Sequence, residues 1–153
     1  MADVANVGSI RPPFVYGAAI LLGVLLHWFW PMQWLPTSIN VPIGVVLVVG
    51  AVALFISSVR TFRKAGTPVP GNRPTTVIVR AGPYGFSRNP IYVAFTLLQV
   101  GLAAWVNSVA LLLTLLPAAA LMVLVVVPRE ERYLEAKFPS EYLPYKREVR
   151  RWL

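Results

Sequence analysis

The chain has 153 residues, 57% of them hydrophobic, and a formal net charge of +8; its mean hydropathy is +0.65. That length accommodates one domain, and that apolarity assigns the chain to a bilayer rather than to water. The absence of cysteine excludes disulfides, thiolate metal sites and a cysteine nucleophile.

The first apolar segment covers residues 13–30 (PFVYGAAILLGVLLHWFW). Its leader lacks a basic cluster and its end lacks a small-residue cleavage site, so it reads as a retained span and not as a signal peptide. A second segment covers 41–59. A third, 90–105, and a fourth, 108–127, are separated only by Val106 and Asn107. Crossing a bilayer takes about 20 residues, or slightly fewer with snorkelling flanks, and all four segments qualify, the third only just. The expected fold class is all-α: a polytopic membrane protein of four transmembrane helices, with a cytoplasmic amphipathic C-terminal tail, forming one domain over 1–153. Pro117 is expected to kink the fourth helix and widen a cavity near the midplane.

The charges give the orientation. Residues 60–88 hold Arg60, Arg63, Lys64, Arg73, Arg80 and Arg88 without an acid, and residues 89–128 hold no charge. The positive-inside rule puts loop 60–88 in the cytoplasm, and four spans then put both termini there. Trp28, Trp30, Trp34 and Trp105 fall at the opposite ends, as an outer aromatic belt would. After Pro128 the run REERYLEAKF extends the fourth helix, and SEYLPYKREVRRWL completes a tail over 129–153 along the inner interface. Cations flanking apolar helices meet lipid headgroups, so membrane lipids are expected partners and nucleic acid is not.

No Asp or Glu occurs between Asp3 and Glu130, which leaves proton-coupled transport without its usual intramembrane carboxylate. His27, beside Trp28, reads as a polar interfacial residue. No G-x-G-x-x-G or Walker loop is present, so a soluble nucleotide-binding fold has no support. The dense chemistry lies at 82–92, GPYGFSRNPIY. Asn89 suits an N-cap and Pro90 the first helical turn. A helix N-terminus beside Arg88 favours an anionic group, and Tyr84, Phe86 and Tyr92 supply ring surface. Across the same face of the membrane, Glu130 and Glu131 are adjacent on a helix, so one is expected to face a pocket and the other water. A carboxylate there can accept from ribose hydroxyls or an ammonium; salt links to the basic loop are the competing reading.

These elements together resemble the integral-membrane methyltransferases of the isoprenylcysteine carboxyl methyltransferase and phospholipid methyltransferase family. Arg88-Asn89-Pro90-x-Tyr92, then Glu130-Glu131-x-x-Leu134, then Tyr142-x-x-Tyr145 follow that family's order over residues 66–152. The resemblance implies S-adenosylmethionine (SAM) as cofactor on the cytoplasmic side, with Tyr84, Arg88, Asn89, Pro90 and Tyr92 lining its pocket and Glu130 and Glu131 on its polar groups. It also implies methyl transfer to a lipophilic small-molecule or lipidated substrate, with Arg129 or Arg73 orienting an anionic head. Asn89 stands where the prenylcysteine enzymes commonly carry histidine, and Val126-Val127-Pro128 precede the Glu pair where those enzymes are polar. A carboxylate, thiol or amine acceptor is therefore open. An NADPH-dependent sterol-type reductase and a non-enzymatic lipid-binding scaffold are the alternatives.

Overall fold

The computed structural model describes residues 10–69 and 74–153, so the expectation for Arg73 lies outside the described residues. Among these residues there are helices and no strands. Helix α1 is Pro12–Phe29, α2 Asn40–Lys64 and α3 Pro90–Trp105; a continuous helix then runs through α4 (Val109–Leu121), a π segment (Met122–Val126) and α5 (Val127–Lys137), followed by α6, Pro139–Glu148. Among the described residues three helices are long and apolar enough to cross a membrane, Pro12–Phe29, Asn40–Lys64 and Val109–Lys137, whereas α3 is a shorter apolar helix of 16 residues. Large apolar side chains such as Leu21, Leu25, Val46 and Val49 lie exposed on α1 and α2, the inverse of a soluble surface and the pattern a lipid solvent requires.

The second helix continues five residues past the expected end at 59. Arg63 and Lys64 occupy its last turn, where cations favour the negative end of the helix dipole. It stops at Gly66, whose φ of +68° suits glycine. Gly66 N–H bonds Arg63 O at 3.1 Å and Thr67 N–H bonds Phe62 O at 3.3 Å, the paired closure of a Schellman motif.

Small residues set the helix spacing. A Cβ added to Gly44 would lie 2.5 Å from Trp105 Cα, and one on Gly101 2.9 Å from Val48 N, so α2 and α3 run antiparallel with their backbones nearly touching. Gly23 lies in the same way against Leu111 and Thr114, joining α1 to α4. The buried Gln99 amide donates to Leu111 O at 3.1 Å and Thr114 Oγ1 at 3.2 Å, pinning α3 to α4. At the tryptophan-rich end, Asn107 adopts φ +55°. Its Oδ1 accepts from Trp34 N and Leu35 N, and its Nδ2 donates to Leu35 O at 2.8 Å; the link between α3 and α4 is thereby clamped to the link between α1 and α2.

Pro117 falls inside α4, but the irregular hydrogen bonding comes later. Val127 N–H bonds Met122 O, five residues back. The physical cause is Pro128, which offers no N–H to Leu124 O and crowds that carbonyl, so the preceding turn widens. The cavity correspondingly opens at the end carrying the basic loop and tail, not beside Pro117.

The close crossing is testable. Gly44→Ala drives a methyl into the Trp105 backbone, and overpacking of this kind costs about 1–3 kcal/mol, which lowers the melting temperature of the detergent-purified chain by several degrees. Gly17→Ala, with nothing within 4 Å of its added Cβ, leaves the melting temperature unchanged or raised.

Candidate functional site

The polar end of the bundle is assembled by the segment before α3. Gly82, at φ +56°, starts a 3-10 turn over Gly82–Gly85, with its Cα face 3.0 Å from Thr61 Oγ1 if a Cβ were added. This turn seats the buried Tyr84 edge-on against Phe62 of α2, ring centroids 4.8 Å apart. Tyr145 of α6 donates its hydroxyl to Tyr84 O at 2.8 Å, and Arg80 stacks over the Tyr145 ring at 5.6 Å. Loop, α2 and tail therefore close on one another through aromatic groups. Burial pushes the Tyr145 phenol up to about 12, against the pull of Arg88 and Arg80, and raises Tyr142 as well.

Asn89 occupies the N-cap position of α3, but its side chain does not cap. Its carbonyl accepts from Tyr92 N and Val93 N, while its Nδ2 donates to Arg151 O at 2.9 Å. Next to it, Arg88 N–H donates to Arg150 O at 2.9 Å. The expectation of a capping Asn89 is thus corrected: the amide tethers the C-terminal tail. Pro90 begins the helix as expected and is fully buried, but it serves as the helix start and does not line the cavity.

Glu130 and Glu131 are both buried, against the expectation that one would face water. They have different partners. Glu131 is gripped by two arginines: Arg151 Nε and Nη2 donate to Oε1 and Oε2 at 3.0 and 2.6 Å, and Arg88 Nη2 lies 3.1 Å from Oε1. Glu130 accepts the Tyr92 hydroxyl at 2.7 Å. Glu130 lies beyond the apolar stretch, which ends at Val127. Arg88 is equally enclosed, and its Nε and Nη1 find no hydrogen-bond partner among the described residues.

These groups border a cavity of about 270 Å³. Arg88, Asn89, Tyr92, Glu130 and Glu131 form its polar side, and Tyr84, Tyr142 and Tyr145 an aromatic side. Phe55, Val59 and Phe62 of α2 and Pro12 and Pro13 of α1 form an apolar side. Such a cavity can hold an anionic group at Arg88, a cationic group at Glu130, a planar ring among the tyrosines, and an apolar chain toward α1 and α2.

The structure thus unites Tyr84, Arg88, Asn89, Tyr92, Glu130 and Glu131. It separates Arg129, which is exposed and outside the cavity wall, and Phe86, which is half exposed. Arg151 and the α2 wall were not anticipated as site residues. The aromatic and arginine-rich register of the tail was the available signal for Arg151; nothing in α2 beyond its apolarity marked the wall.

A family model described as Phospholipid methyltransferase matches residues 39–141. Over 75 residues the chain is 39% identical to the cobalt-zinc-cadmium resistance protein CzcN of Cupriavidus metallidurans, covering 49% of this chain and 34% of that protein. Over 68 residues it is 39% identical to the nickel-cobalt-cadmium resistance protein NccN of Alcaligenes xylosoxydans xylosoxydans, covering 44% of this chain and 32% of the relative. The matches thus span about a third of the length of each resistance protein. A Haemophilus influenzae protein without an assigned role is 38% identical over 68 residues, 41% of this chain and all of that protein. No solved structure matches at a significant level.

The tether role of Asn89 separates cleanly from a capping role. Asn89→Ser, which restores a good N-cap side chain but cannot reach Arg151 O, speeds amide exchange at Arg88 while leaving α3 protected; hydrogen exchange followed by mass spectrometry reads it. Unchanged exchange at Arg88 would show that the amide holds nothing.

Proposed function

The chain belongs to the phospholipid methyltransferase family, and from that premise we propose that it transfers a methyl group from SAM to a nucleophile on an apolar-tailed acceptor at the cytoplasmic face of a membrane. The observation that carries this reading is the division of the cavity. One side offers, among the described residues, a buried arginine whose Nε and Nη1 have no partner and a carboxylate with no arginine on it; the other offers the apolar side chains of α1 and α2.

SAM fits the polar side by its chemistry. Its amino-acid end carries a carboxylate and an ammonium, for which Arg88 and Glu130 supply the opposite charges, and its adenine and ribose suit Tyr84, Tyr142 and Tyr145. When bound, SAM supplies a sulfonium methyl whose sulfur leaves as a neutral thioether. The chain's own task is alignment and exclusion of water. Tyr145 and Arg80 close the tail over the site, and the packed walls hold the two partners at a fixed separation, which contributes several kcal/mol without any proton relay. Pro12 and Pro13 at the start of α1, and Phe55 and Val59 on α2, line the side where an acceptor's tail enters from the bilayer. The acceptor's reactive head then lies beside the polar side. Carboxylate, thiol and amine heads all satisfy this geometry. The metal resistance named in two relatives carries no proposal for this chain: among the described residues no three His, Cys, Asp or Glu side chains stand together.

Calorimetry on the detergent-purified chain with SAM, its demethylated product S-adenosylhomocysteine and NADPH tests the reading; binding of NADPH but of neither adenosyl compound overturns it. Incubation with methyl-labelled SAM and a lipid extract then yields a labelled lipid that identifies the acceptor. A pH series adds a residue-level check. Glu130→Gln, which removes the charge opposite the ligand's ammonium, weakens SAM binding about tenfold, and the weakening is lost as pH rises above the range of about 7.7–8.0 in which an α-amino group titrates; an affinity equal to wild type removes Glu130 from the site.

A further inference from the structure

Three parts of the chain meet at Glu131: the Arg88-Asn89 pair before α3, the first turn of α5, and residues 150–151 of the tail. The tail's backbone is held by Arg88 N–H on Arg150 O and by the Asn89 amide on Arg151 O, each at 2.9 Å. Held there, Arg151 reaches both oxygens of Glu131 with Nε and Nη2. Arg88 is left with a single nitrogen, Nη2, on the same carboxylate at 3.1 Å, and its Nε and Nη1 stay buried and unpartnered.

Guanidinium and carboxylate prefer to meet as two parallel hydrogen bonds. Arg88 and Glu131 are both enclosed, with side chains 7% exposed, and among the described residues Arg151 is the group that competes with Arg88 for the Glu131 oxygens. With Arg151 absent, Arg88 would take up the fork itself, committing a second nitrogen to Glu131 beside Nη2 and forming a pair of zero net charge. With Arg151 present, the cluster of two arginines and one carboxylate stays net positive, and two nitrogens, Nε and Nη1, stay available.

We propose that Arg151 is a positioning residue: its two-toothed grip on Glu131 prevents that carboxylate from capturing Arg88, so that the Arg88 charge stays uncompensated and Nε and Nη1 stay unclaimed, leaving a donor for the carboxylate of the bound ligand. This rests on the SAM reading above and adds to it a role for a residue that itself touches no ligand. It also explains why the tail is bound to the very dipeptide that presents the arginine. The Arg88 and Asn89 contacts to the tail deliver Arg151 to Glu131, and Arg151 in turn frees Arg88.

The test compares S-adenosylhomocysteine with its decarboxylated analogue by calorimetry on the full chain in detergent. A charged hydrogen-bond pair to the carboxylate makes the wild type prefer the carboxylated ligand by about tenfold or more. Arg151→Ala and Arg151→Lys both reduce that preference to within about threefold, the lysine variant keeping the charge, and with it the fold, while losing the fork. Glu131→Gln retains the preference, and Arg151→Ala added to Glu131→Gln changes it no further. A purely structural strap would cost the same affinity in both backgrounds and for both ligands. Wild type that binds neither ligand overturns the cofactor reading and this proposal together. Wild type that shows the preference, with Arg151→Lys keeping it in full or Arg151→Ala lowering it equally in the Glu131→Gln background, overturns this proposal alone.

Discussion

Burial of the Glu131 carboxylate is the constraint on which the polar half of the molecule depends. An isolated carboxylate in such surroundings is too costly to keep ionised, and a buried pair is sustained only when its geometry and remaining hydrogen bonds are satisfied. Two arginines meet that demand, one from the loop before α3 and one from the C-terminal tail. The pairing therefore decides more than local charge. It brings segments separated by about sixty residues of sequence into one wall, and it fixes where α3 starts relative to α5. The neighbouring Tyr145 hydroxyl on Tyr84 O and the Asn89 amide on Arg151 O are oriented by the same closure.

The rest of the molecule supplies rigidity and an apolar boundary. Glycine crossings at Gly44, Gly101 and Gly23 let the helices approach without help from charge, as helices in lipid must, because lipid tails give apolar side chains little reason to prefer one another. The charge-free stretch from 89 to 128 is thus compatible with tight packing, and the chain can reserve its ionisable groups for one end. A bilayer protein with charges distributed along its helices would be destabilised at every depth. This one confines the cost to a site where each buried carboxylate has a named partner.

Much of this was legible in the sequence because it followed from composition and punctuation. The apolar runs, the basic loop, Pro90 at a helix start and the helical continuation past Pro128 all rest on local rules, and the structure contains each of them. Six site residues from the two motifs do meet around one cavity. What was not legible depended on contacts between distant segments. Asn89 has the side chain of an N-cap, and nothing local reveals that it will instead turn its Nδ2 to donate to Arg151 O. Arg151 sits in a run of bases that reads equally well as a headgroup-binding surface. The extended end of α2 was hidden because Arg60, Arg63 and Lys64 break the hydrophobic run without breaking the helix.

The position of Arg129 outside the cavity wall has a more particular cause. Along α4 the buried positions are Ala110, Leu111, Thr114, Leu115, Ala118 and then Met122, a stripe of regular α-helical spacing. Continued at about 100° per residue, that stripe returns to the same face at 129 and puts 131 almost opposite, which is the arrangement that would place Arg129 inside and one glutamate in water. The π turn over Met122–Val126 accommodates one residue more than a regular turn and rotates everything after it by about one position. The buried set beyond it is Val127, Glu130 and Glu131. Arg129 leaves the wall, Glu130 takes the inward position and reaches Tyr92, and Glu131 swings to the flank where the tail meets it. Pro128 gives the local reason for the widened turn, so a residue without side-chain chemistry of its own determines which charges enter the site.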